Sequence, residues 1–302
     1  MRIVTDSAAD LTAEDIQAYG IEVVPLTIQF PEGSVSSCDI SADDFYDRLR
    51  AMSPQTPTTS QPSPATFKAV YQTAGFDSDI LSIHISSGLS GTANAARLAA
   101  EQSTEARVTV VDTFTLSPAQ RFQVLAAAMA VNAGWPTERI TERLEQMRHA
   151  SEAIFTLETL AYLARGGRIG RVQALAGQLL HIKPVIHVDT NDGKYSTVGK
   201  ARTVSQSLKT ITAFLKARYG NEPVWATVIH GQLADKAAEL DAMLHAELNV
   251  GRSDMVRISP VLGVHTGPGV VGVGIMPLAL IEDLLPYDVE PVRVGAEPSH
   301  SH

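Results

Sequence analysis

A single cysteine, Cys38, stands in 302 residues, so no disulfide can form within the chain. A chain of this length without covalent staples fits a reducing compartment, and the cytoplasm is the expected location. Cations are outnumbered as well: 24 Lys and Arg against 33 Asp and Glu leave a formal charge of −9. The resulting negative field opposes condensation onto phosphate backbones and anionic lipid surfaces, which argues against nucleic acid as a partner. The marks of several common chemistries are missing too. No Gly-x-Gly-x-x-Gly follows the first strand, and neither Gly-x-x-x-x-Gly-Lys-Ser/Thr nor Gly-x-Ser-x-Gly occurs. The nine histidines lack the i, i+4 spacing of a helical metal pair. No metal and no cofactor is expected.

The opening MRIVTDSAADL turns polar by its fifth residue and has no secretory apolar run. Two later stretches imitate membrane spans. Phe122 to Pro136 is Ala-rich and too short for the ~20 residues that a spanning helix needs. Ile258 to Ile281 is long enough, but Pro260, Pro268 and Pro277 with Gly263, Gly267, Gly269, Gly272 and Gly274 would break a helix repeatedly. It reads as buried strands and a turn, and no integral membrane segment is expected.

What is present is an ordinary globular composition, 44% hydrophobic and 19% charged, long enough for two cores. The first half alternates strand and helix patterns, the signature of a layered α/β domain. Strands are predicted at Arg2 to Thr5, Val23 to Phe30, Ile80 to Ile85 and Val108 to Asp112. Helices are predicted at Ala13 to Tyr19, Asp43 to Met52, Ala65 to Ala74, Gly91 to Gln102, Pro118 to Ala133 and Thr137 to His149. A fresh strand at Ala153 to Leu157 puts the boundary near residue 150, giving domains 1–150 and 151–302. In the second, Pro184 to Asp189 and Tyr195 to Lys200 flank an Asp-Gly turn and should pair antiparallel. A helix from Val204, a strand at Val224 to His230 and a helix from Ala234 follow. The closing Glu297 to His302 reads as a mobile tail.

Four segments could carry chemistry. Ile83 to Asn94 sets a Ser/Gly-rich turn, with Ser90 and Gly91, between a strand end and a helix start, where free N–H groups can cradle an anion; Ser90 as a simple N-cap is the bland alternative. Pro57 to Pro64 is hydroxyl-rich; Ser63-Pro64 is explained as a cap and first helical residue, leaving Thr58, Thr59, Ser60 and Gln61 without structural duty. Arg165, Arg168 and Arg171 alternate with Gly166, Gly167 and Gly170, a pairing of guanidinium forks and close-bending backbone that suits an oxygen pair or a solvated connection. His265 precedes a Gly-Pro-Gly turn inside an apolar tract, as a core residue or a presented one.

Together, in order, these segments with Val4-Thr-Asp6-Ser7, Val24-Pro25-Leu26, Val110 to Thr113 and Lys183-Pro184 resemble the DegV family of bacterial fatty-acid-binding proteins. The resemblance implies an N-terminal Rossmann-like α/β domain, a C-terminal α/β domain with a mostly antiparallel sheet, and a lipid between them. It implies that Thr59, Ser90, Gly91, Arg168 and His265, with Ser60 beside Thr59, hold the carboxylate of one long-chain fatty acid such as palmitate, stearate or oleate. It further implies a carrier rather than an enzyme, one that presents the acid to a separate ATP-dependent fatty acid kinase with a dihydroxyacetone-kinase-like domain. The acyl phosphate formed there would feed phospholipid synthesis. Ala93 stands where many relatives have an aromatic residue, and Lys200 and Arg202 have no assigned role. The rival reading is a phosphotransferase or acyl-phosphate hydrolase using His265 as base and Arg168 to stabilise charge.

Overall fold

The structure, a computed structural model, describes residues 1–73, 78–104, 106–173 and 182–285. The first half runs β1 (Arg2–Asp6), α1 (Ala13–Tyr19), β2 (Glu22–Val24), β3 (Thr27–Phe30), β4 (Gly33–Ser36), α2 (Ala42–Ala51) and β5 (Thr58–Ser60). It continues with α3 (Pro64–Gln72), β6 (Ser78–His84), α4 (Thr92–Glu101), β7 (Ala106–Asp112), α5 (Ser117–Asn132) and α6 (Thr137–Ala150). The second half runs β8 (Glu152–Leu157), α7 (Ala161–Arg165), β9 (Lys183–Asp189), β10 (Lys194–Ala201) and α8 (Val204–Tyr219). Then come β11 (Val224–His230), α9 (Ala234–Glu247), β12 (Val250–Arg257), α10 (Pro260–Thr266) and β13 (Val270–Pro277). Local chemistry sets many of these starts. Thr12 and Asp15 close a capping box, Ser41, Ser63 and Thr203 accept first-turn N–H groups, and Pro64 sits in the first turn of α3. The predicted tail Glu297 to His302 and the predicted helix end at Ala74 lie outside the described residues.

Three sheets organise the chain. The first, β2-β1-β6-β7, is wholly parallel, with α3 and α4 packed on one face and α5 on the other. The second, β10-β9-β8-β13-β11-β12, is antiparallel except for the β11–β12 pair, and α8 and α9 cover one of its faces. A small antiparallel sheet, β4-β3-β5, carries α2. The chain is thus α/β, with a Rossmann-like parallel half and a half built on a mostly antiparallel sheet.

Helix α5 joins the two large sheets. Every residue from Ser117 to Ala130 is buried, and its core includes Ile3, Leu81 and Ile83 of the first sheet with Trp225 and Met276 of the second. From Val124 to Ala130 the helix is apolar all round and must be enclosed, and its alanines let both sheets approach closely. Its buried polar residues are Ser117, Gln120, Arg121 and Gln123; of these Arg121, 4% exposed, bonds Asp15 on α1 and Asp254 on β12, tying the halves together. No described helix is long and apolar enough to cross a membrane.

Two expectations need correction. The strand expected at Val23 to Phe30 is two strands in different sheets, because Pro25 removes a ladder donor and the chain turns there. The tract from Ile258 to Ile281, expected as strands and a turn, holds helix α10 before the single strand β13.

Candidate functional site

Helix α10 decides where His265 lies. Pro260 in the first turn and Gly267 just past the end delimit it, the Pro-in, Gly-out asymmetry of helix ends. Gly267 has φ 71°, and a Cβ there would stand 2.3 Å from the Tyr162 ring, so both backbone and space require glycine. His265 therefore sits on the last turn of a helix rather than in an open turn. It faces α7 and the small sheet, both far away in sequence. Its ring presses on Gly166, where a Cβ would come within 2.2 Å of Nδ1.

Across the gap, Thr59 projects from β5, and its Oγ1 shares a 2.8 Å hydrogen bond with His265 Nε2. Nδ1 is buried with no partner among the described residues. An orphan N–H is costlier than an orphan lone pair, so the ring proton belongs on Nε2, which donates to Thr59. The Thr59 hydroxyl hydrogen is then left to point at a ligand oxygen. Burial, and next the Arg168 charge, push the His265 pKa down to about 4, so the ring is neutral at pH 7.

Arg168 follows α7 at the bend through Gly166 and Gly167. Its Nη1 donates to the Gly166 carbonyl at 2.7 Å and its Nε to the Leu89 carbonyl at 3.3 Å, which spans the two halves of the chain and leaves other guanidinium N–H groups for an anion. Ser90 lies in the loop before α4. The N-cap of that helix is Gly91, not Ser90; the Ser90 hydroxyl pairs with Thr92 Oγ1 at 2.8 Å. The loop N–H groups of Gly88, Leu89 and Ser90 bond to Ser86 and that of Thr92 to Ser90 Oγ at 3.4 Å, so the first-turn N–H groups of Ala93 and Asn94 are the ones left without a helical acceptor.

Thr59, Ser90, Arg168 and His265 line one cavity, together with Leu26, Ile85, Leu89, Leu116, Tyr195, Val261 and Leu262. Of the other expected residues, Ser60 is exposed and its hydroxyl accepts from Gln29 Nε2 at 3.2 Å. Strand side chains alternate, so Thr59 facing the cavity turns Ser60 away. Gly91 is not in the lining; its Cα faces the Gln61 side chain, which a Cβ would meet at 2.2 Å. Lys200 is exposed on the edge strand β10 and Arg202 just beyond it. Ala93 is buried and lines neither this cavity nor the next.

A second, narrow cavity adjoins the first and is lined almost wholly by apolar groups, including Phe155, Ile229, Ile258, Val270 and Val273. Leu116, Tyr195 and Leu262 line both, so these three side chains mark the boundary, or neck, between them. Sequence reasoning missed these three. Tyr195 offered a weak signal as the aromatic opening a polar strand; Leu116 and Leu262 are indistinguishable from core leucines. No His/Cys/Asp/Glu cluster suited to a metal ion occurs among the described residues.

Comparison with known proteins agrees with this architecture. The family model described as "Uncharacterised protein, DegV family" matches residues 1–278. A DegV domain-containing protein of Deinococcus radiodurans is 37% identical over 276 residues, 91% of this chain and 95% of that protein. A fatty-acid-binding DegV family protein from Thermus thermophilus has a solved structure similar at TM-score 0.85 and 34% identity, over 92% of this chain and 100% of its own. The crystal structure of DegV from Bacillus subtilis, described as a fatty acid binding protein, gives 0.82 and 30%, over 91% and 98%. With a family match that covers nearly the whole described chain and relatives alike in sequence and fold, this chain belongs to the DegV family.

Proposed function

We propose that the chain binds one long-chain fatty acid, carboxylate at Thr59, Ser90, Arg168 and His265 and acyl chain through the neck into the apolar cavity. The observation that carries this reading is that the cavity bearing Thr59, Ser90, Arg168 and His265 adjoins an apolar one through three shared lining residues. The division of labour follows from the energetics. Burying about 14 methylenes of a C16 acid at ~0.8 kcal/mol each yields roughly 11 kcal/mol before association losses. Hydroxyl and guanidinium donors do little more than offset the dehydration of the carboxylate, so they orient it. Palmitate, stearate and oleate are the acids to test.

The proposed role is that of a cytoplasmic carrier that presents the carboxyl to a separate ATP-dependent fatty acid kinase for acyl-phosphate formation. Catalysis by this chain alone has less support: no carboxylate hydrogen-bonds to His265 among the described residues, and its neighbours are Thr59 and the cation Arg168. The experiment is denaturing extraction of the purified protein followed by mass spectrometry, with about one acid per chain expected. Protein that is empty and then fails to take up palmitate or oleate defeats the binding reading. Acid binding without kinase-dependent acyl phosphate, tested with candidate kinases, defeats only the carrier role.

A further inference from the structure

Three described non-glycine residues have positive φ: Asp10, Phe114 and Ser117. Two of them bond to each other. Asp10, with φ 51° after the short 3-10 turn that follows β1, is 7% exposed, and its Oδ2 accepts the hydroxyl of Ser117, whose φ is 53°. The other oxygen, Oδ1, accepts the main-chain N–H of Ser259 at 2.9 Å. Left-handed backbone at Asp or Ser costs energy and persists where surrounding contacts over-determine it.

The two residues that Asp10 holds stand at the starts of two helices that both line the apolar cavity. Ser117 opens α5 and lines that cavity with Leu116 and Pro118. Ser259 is the N-cap of α10, the helix that carries Leu262 at the neck and His265 at its far end. A carboxylate at this position also suits the positive end of the helix. Because its hydroxyl is spent on Asp10, Ser117 presents no unsatisfied donor to an acyl chain.

From this arrangement we propose that Asp10 is a positioning residue for the ligand cavity: one buried carboxylate clamps the starts of α5 and α10 and so fixes the width of the neck. The inference rests on the fatty-acid reading above. Loss of the clamp lets the walls part and speeds release of the acyl chain, while the carboxylate contacts at Thr59 and Arg168 stay in place. Charge is not required, because an amide can accept from Ser259 with its oxygen and donate to Ser117 with its nitrogen.

The test measures transfer of an intrinsically fluorescent polyunsaturated acid from the full chain to acceptor vesicles. Asp10→Ala, which removes two hydrogen bonds, is expected to release ligand on the order of tenfold faster. Ser117→Ala, which removes one, falls between it and wild type and keeps the idea testable if Asp10→Ala does not fold. Asp10→Asn is expected within about twofold of wild type. Leu240→Ala, in the core between the second sheet and its covering helices, is the control for general destabilisation and should leave release unchanged. Wild-type release from both Asp10→Ala and Ser117→Ala overturns the proposal, as does equal acceleration by Leu240→Ala or failure of Asp10→Asn to restore slow release. Wild-type protein that takes up no acid refutes the fatty-acid reading itself.

Discussion

Gly166→Ala isolates the contribution of His265 without touching a group that meets the ligand. Gly166 has φ −74°, which alanine adopts freely, so the substitution is steric and not conformational. The new Cβ would stand 2.2 Å from His265 Nδ1 and 2.9 Å from Cε1. Ordinary contact needs about 3.5 Å, so the ring must retreat by roughly 1 Å. Thr59 cannot follow, because β5 is fixed by its pairing to β3, with Thr59 opposite Ile28. The 2.8 Å bond between Nε2 and Thr59 therefore breaks. Overpacking of this kind costs about 1–3 kcal/mol of stability. The lost hydrogen bond, near 1 kcal/mol, should weaken acid binding about fivefold. Urea unfolding and calorimetric titration of delipidated protein with oleate measure the two effects. In a His265→Ala background there is no ring to displace, and Gly166→Ala should add little to either loss. Wild-type affinity in the single variant, or an equal effect with the ring absent, would refute the reasoning.

Thr59→Val should weaken acid binding severalfold, whereas Ser60→Ala should not, since only Thr59 faces the cavity; equal effects in a side-by-side titration would reverse the assignment. Acid should act oppositely through two buried groups. His265, whose pKa falls to about 4 from an ordinary 6.5, stabilises the fold while neutral, and that stability is lost as pH drops from 6.5 toward 4. Asp10, raised by burial to about 6 from 3.8, is penalised when ionised, so its contribution improves as pH falls through 6 toward 3.8. Each effect is about 3 kcal/mol at full extent. In urea melts from pH 7.5 to 4.5, Asp10→Asn should lose stability relative to wild type on acidification and His265→Gln should gain it; pH-independent differences contradict both. Arg121→Ala leaves Asp15 and Asp254 without their shared cation and should cost about 3–5 kcal/mol, seen as a lower urea midpoint. A loss below 1 kcal/mol would mean that water replaces the guanidinium.

Much of the architecture is local and hence legible in the chain. The helix at Ala13–Tyr19, the strand at Val224–His230 and the hairpin around Asp192-Gly193 follow from caps, apolar runs and turn chemistry that act over a few residues. So does the alternation that makes the chain α/β. The segments bearing Thr59, Ser90, Arg168 and His265 were visible too, as polar or glycine-rich interruptions in apolar sequence. What the tertiary structure alone decided is how they meet. Thr59 and His265 share a hydrogen bond across 206 positions, and Asp10 reaches Ser259 across 249. Pro25 splits one apolar run between two sheets, Ser60 turns outward because its strand pairs on β3, and Leu116 and Leu262 become neck residues through the docking of α5 and α10. Propensity and periodicity are properties of neighbouring residues, whereas a cavity is a property of surfaces brought together by packing, and no local pattern encodes which leucine will border it.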